Sequence, residues 1–240
     1  MAAATRKTIE RVVNELSSMK KEPQTILETI KQDSWNYDSG GNLLNNLLES
    51  FQEGFPVRNV LQLVESQNEE SVRAGSWILS ELGVKACEVF QSTKLLIDSS
   101  DPKVRFHYLD CILMCATESD GDSIGKVLFL LEDEASFVRW RAMDILCKLD
   151  ATQISSGLSW MESVDREHTV MYSELQLLRD SLHESVSFQL LEEYVKDGSP
   201  IQKKVTIVVA IRKRLEPQKI VQLAKTSKDD DAIRFCKSLL

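Results

Sequence analysis

Four places in the chain hold residue types that could do chemistry. His107, Cys111 and Cys115 fall at i, i+4 and i+8, which on a helix puts one imidazole and two thiols in a single stripe. One straight helix rarely closes a tetrahedral metal site, and cysteine packs well in a core, so no metal is expected there. Trp140 and Asp144 stand four residues apart, and Phe106 and Asp110 repeat that spacing. A ring with a carboxylate one helical turn away can cover an apolar group and hold a cation beside it. The last place is the basic run "KKVTIVVAIRKR" at 203–214, which could meet phosphate. No Gly-rich phosphate loop and no GxSxG elbow occurs, and neither His168 nor His183 has a spaced partner. Neither catalysis nor a cofactor is expected.

The elements that must carry these residues are helices. Hydrophobic residues make up 42% of the 240 positions, enough for a sizeable core, while Gly and Pro number only 9 and 5. That composition disfavours a turn-rich β-sandwich. The longest apolar runs, such as "VLFLL" at 127–131, are far too short to span a bilayer. "MAAATRKTIERVV" has no apolar run after its basic residues, so no secretory signal is expected. Five cysteines without a CxxC pair predict reduced thiols in a cytoplasmic protein.

The helices recur. "NEESVRAGSWIL" at 68–79, "SDPKVRFHYLDCIL" at 100–113, "ASFVRWRAMDIL" at 135–146 and "DDDAIRFCKSL" at 229–239 each set a polar turn before Val-Arg or Ile-Arg and a helical pattern. The apolar marks are Val72, Val104, Val138, Val170, Ile201 and Ile233, at spacings of 32, 34, 32, 31 and 32. A second helical pattern precedes each mark, as in "SIGKVLFLLE" before Val138. One period therefore holds two helices, and a single pair cannot bury its own apolar faces without neighbours. An earlier pair is expected within 24–52, and a capping helix at 1–22.

The acid-x-x-x-Val-Arg opening of the second helix, with a small residue a turn later, resembles HEAT repeats. The resemblance spans about 200 residues, although Met171 and Gln202 replace the arginine after Val170 and Ile201. It implies an all-α fold: one right-handed superhelical solenoid of six to seven helix pairs over 1–240, with the second helices lining its concave face. It also implies that Arg73, Arg105, Arg139 and Arg234 brace neighbouring repeats through acids such as Asp101, Asp133 and Asp230.

Two and six places after each mark, side chains are expected to point away from the core. Those places hold Ala74, Phe106, Trp140, Tyr172, Lys203 and Phe235, then Ile78, Asp110, Asp144, Gln176, Ile207 and Leu239. Phe106, Trp140 and Tyr172 would form an aromatic row edged by Asp110 and Asp144, with the character of a binding hot spot. Residues 197–240 carry +5 and the other 196 residues carry −13, for a total of −8. An acidic body attracts a basic protein and repels nucleic acid.

The expected function is a non-catalytic module that grips a basic protein partner on an acidic concave face, as a monomer outside its complex and away from membranes. Small acidic proteins without enzyme motifs resemble bacterial immunity proteins, which implies an inhibitor that neutralises a toxin such as a nuclease. A regulatory scaffold or assembly factor would share these features. A more distant resemblance, carried by Trp140 and Asp144, is to alkylpurine DNA glycosylases of HEAT-like build. It implies base excision, against which stands the crowding of Glu132, Asp133, Glu134 and Asp150 around the pair.

Overall fold

The structure, a computed structural model, describes residues 22–32, 34–164 and 174–239. Among these residues there are helices and turns and no strand. No helix is long and apolar enough to cross a membrane. The expected capping helix at 1–22, save for its final residue, the repeat mark Val170 and the expected site residue Tyr172 lie outside the described residues.

Where one stack over the whole chain is expected, the chain divides into two compact units, Met1–Leu82 and Gly83–Leu240. In the first, α1 (Pro23–Ile30) and α2 (Gly41–Glu53) form the early pair. α3 (Glu69–Glu81) packs on both, and Asn68 opens it by accepting hydrogen bonds from the Glu70 and Ser71 amides. Arg73 donates to Glu70, whose carboxylate also accepts from the Tyr37 amide. The arginine after this mark thus fastens the loop that follows α1.

The second unit contains α4 (Pro102–Cys115), α5 (Gly121–Phe129), α6 (Ser136–Lys148), α7 (Ala151–Val164), α8 (Gln176–His183), α9 (Phe188–Asp197), α10 (Pro200–Arg212), α11 (Pro217–Ser227) and α12 (Asp230–Leu239). The polar turns read from the sequence serve as caps. Asp101 accepts from the Lys103 amide at 2.8 Å, and Ser199 with Gln202 forms a capping box at the start of α10. Two of the expected first helices are in part 3-10 turns, at Val57–Val60 and at Lys94–Asp98. Short apolar runs satisfy either geometry, because i+3 and i+4 neighbours both stay on one face.

α10 lies at the centre of this unit. Ile201 and the whole run from Lys204 to Ala210 are buried, because α6, α8, α9, α11 and α12 all pack on it. A helix apolar nearly all round is a helix with neighbours on every side. Consequently the positions two and six after each mark do not form one outward row. Ala74, Ile78, Ile207 and Phe235 are fully buried, while Phe106 and Trp140 are half-buried.

The cysteine reading is corrected here. Cys87 and Cys115 form a disulfide, with their Cα atoms 5.0 Å apart. The 3-10 segment Gly83–Glu88 packs against α4 and carries Cys87 to the end of that helix, a proximity that 28 residues of sequence separation conceal. Cys111, Cys147 and Cys236 are free thiols.

Candidate functional site

The seam between α4 and α6 collects most of the expected site residues. Phe106 on α4 meets Phe137 on α6 edge to face, with ring centroids 5.6 Å apart. One turn further along each helix, Asp110 accepts a hydrogen bond from the guanidinium of Arg141. The same guanidinium donates to Asp144, which also accepts from Lys148 Nζ at 2.8 Å. The four charges form a closed set of two carboxylates and two cations. Asp144 is 4% exposed. Burial of that kind is tolerated only because the carboxylate is paired on both sides. Arg141 Nε is buried without a hydrogen-bond partner among the described residues, so its two terminal nitrogens carry its share of the network.

Trp140 leaves this seam. Its ring stands edge-on to Phe235 of α12, with centroids 5.9 Å apart, and its Nε1 donates to Ser238 Oγ at 3.2 Å. The adjacent Arg139 makes the same journey. Its Nε and NH2 donate to Asp231 of α12, and its NH1 donates to the carbonyls of Asp133 and Glu134. One edge of α6 is therefore committed to the last helix, and the indole covers Phe235. Of the residues expected in the site, Phe106, Asp110 and Asp144 come together and Trp140 stands on the other flank. Tyr172 lies outside the described residues.

The arginine reading fares differently from the aromatic one. Arg105 donates through NH1 to the carbonyls of Ser99 and Ser100 and through Nε and NH2 to Asp133. Arg139 reproduces that pattern with Asp133, Glu134 and Asp231. Each guanidinium ties the turn before its own helix to an acid of a neighbouring element. The hydrogen bond from Arg105 to Asp133 holds its pKa above the ordinary value, as the bond to Asp231 does for Arg139. Asp231, not the expected Asp230, is the partner, and Asp101 acts as a cap. Arg234 is exposed.

Sequence reasoning missed two exposed apolar residues of α4 and α6. Phe137 is 43% exposed and Met114, two turns along α4 from Phe106, is 47% exposed. Phe137 fell outside the positions read because it precedes its mark by one residue. Arg141 was visible only as a neighbouring cation, although its i, i+3 relation to Asp144 was signal enough to pair them.

The residues of the His107 stripe do not come together. Among the described residues, no group of three or more His, Cys, Asp or Glu is placed to hold a metal ion. The His107 stripe is broken up: burial pushes the Cys111 thiol up to about 12, and Cys115 is bonded to Cys87. A comparison of the chain with family models, curated proteins and solved structures finds no match in any of the three.

Proposed function

We propose that the chain is a non-catalytic protein-binding module, built of helix pairs of the HEAT-like kind, that holds a protein partner on the α4–α6 seam. The observation that carries this reading is the exposed Phe137 ring, backed by the Phe106 ring. Large apolar side chains with a rigid support are what binding hot spots use. The bracing of Arg105 on Asp133 supports the helix-pair reading, because it ties one pair to the turn that opens the next, whereas Arg139 reaches the more distant Asp231.

The charge argument changes its residues. Asp110 and Asp144 are neutralised within the seam by Arg141 and Lys148, so they are rim and scaffold rather than free partners for a cation. The acids left for a basic partner are on the turn before α6. Glu132 is exposed, as is Glu134, whose contact with Arg105 is long at 3.5 Å. The overall charge of −8 adds a long-range attraction. A base-excision reading requires Asp144 to act on a substrate, and its burial between two cations argues against that.

The test is capture from an extract of the source cells with wild-type protein and with Phe137→Asp, at low and high salt. The reading expects a basic protein that the wild type holds and Phe137→Asp loses, with retention weakened by salt. Equal capture by both proteins would refute it.

A further inference from the structure

The basic run at 203–214 does not behave as one patch. Lys204 is buried, 3.7 Å from Asp229 and 4.0 Å from Asp231. Its other end is different. Arg212, Lys213 and Arg214 line a cavity of about 360 Å³ beside Ile211, with Cys147, Leu149 and Ala151 at the α6–α7 junction and Ser181 and Leu182 on α8 as its other walls. No carboxylate lines it.

The hydrogen bonds around this cavity leave donors unspent. Arg212 uses NH1 for the carbonyls of Leu146 and Leu149 at the end of α6. That contact fixes the plane of the guanidinium, and its Nε and NH2 take no partner among the described residues. Lys213 donates to the Glu184 carbonyl at 2.9 Å, and Arg214 is exposed on a turn with φ of 55°. None of the three makes an ion pair with a described carboxylate. Asp150, whose charge acts on Arg212, spends its Oδ1 on the Thr152 hydroxyl and the Gln153 amide. Burial depresses the Arg212 pKa below its ordinary value, and the charge of Asp150 offsets that only in part.

We propose that this cavity binds a small phosphate-bearing ligand, held by the free edge of the Arg212 fork and by the charges of Lys213 and Arg214. A planar fork with two adjacent donors fits a tetrahedral oxyanion, and its fixed orientation lowers the cost of ordering it. The volume lies in the range of small-molecule sites and exceeds what a bare phosphate fills, so a phosphate ester is the better match. This site is separate from the α4–α6 seam and stands whether or not that seam binds a protein.

The test is calorimetric titration of the full chain, at low ionic strength, with inorganic phosphate, pyrophosphate and adenosine monophosphate. Lys213→Ala/Arg214→Ala removes two charges from exposed positions, Arg212→Lys keeps the charge but removes the fork, and Lys225→Ala, at an exposed position of α11, is the control. The expected result is binding in the millimolar range or tighter, weakened about tenfold or more by either cavity variant and unchanged by the control. Melting temperatures in chloride confirm that each variant folds. Absence of binding by all three probes would overturn the proposal. So would binding that survives in Lys213→Ala/Arg214→Ala, or that falls equally in the control.

Discussion

Arg139 and Asp231 are 92 positions apart in the chain and form a two-bond ion pair, at 2.6 and 3.3 Å, that joins α6 to the last helix. Asp231 also lies 4.0 Å from the buried Lys204. Removing the carboxylate would leave two poorly solvated cations without it. Asp231→Ala is expected to destabilise the fold by about 2–3 kcal/mol. Arg139→Met/Asp231→Leu should cost less than the sum of the single changes, which a denaturation double-mutant cycle reads directly.

Trp140 sits beside that ion pair and serves the same joint. Trp140→Ala is expected to lower stability by about 2–3 kcal/mol, because a half-buried indole and its hydrogen bond to Ser238 are lost together. Phe137→Ala should cost under about 1 kcal/mol, since that ring faces solvent on one side. Urea melts of the two variants separate a joint residue from a surface anchor. Equal costs would remove the distinction drawn between them.

Asp120 gives a pH signature. It is buried, which by itself would raise its pKa. Hydrogen bonds from the Thr117 amide and hydroxyl, from Gln91 and from Lys94 outweigh this and bring it to about 2, below the usual 3.8. A carboxylate with a depressed folded-state pKa adds stability above its unfolded value and loses it as pH falls through the folded one. The contribution, about 2 kcal/mol, is thus full near neutrality and fades between about pH 4 and pH 2. Asp120→Asn should flatten the acid limb of a stability–pH curve over that window.

The Cys87–Cys115 bond closes a loop of 28 residues across the α4 terminus. Chain-entropy reasoning gives about 3–4 kcal/mol for a loop of that length. Under oxidising conditions Cys87→Ser should lower the melting temperature. After treatment with a small thiol, wild type and variant should melt together, because Cys87 is exposed and reachable. A variant that stays less stable in reductant would mean that Cys87 contributes by packing instead.

Much of this organisation was legible in residue spacing. The Val-Arg marks fixed the second helices, the polar turns before them supplied Asn68, Asp101 and Ser199 as caps, and Arg105 found Asp133 as the bracing idea required. Those relations are local or span one period. The partner of Arg139 was not legible, because a period says which segments are equivalent and not which of them touch. The same gap misplaced Trp140. Its outward position is correct for α6 alone, and α12 then covers it. Ile207 at the equivalent place on α10 is buried for the same reason, since five helices surround α10. Asp110 and Asp144 were legible as a pair of acids, but the helix–helix distance that lets Arg141 reach both was not.

The central claim is that the α4–α6 seam, and not the Trp140 flank, meets the partner. The direct measurement is partner affinity for Phe137→Asp beside Trp140→Phe, both folded by circular dichroism. The account predicts at least about tenfold weaker binding for Phe137→Asp and near wild-type affinity for Trp140→Phe. Wild-type affinity for Phe137→Asp, with the loss falling on Trp140→Phe instead, would contradict it.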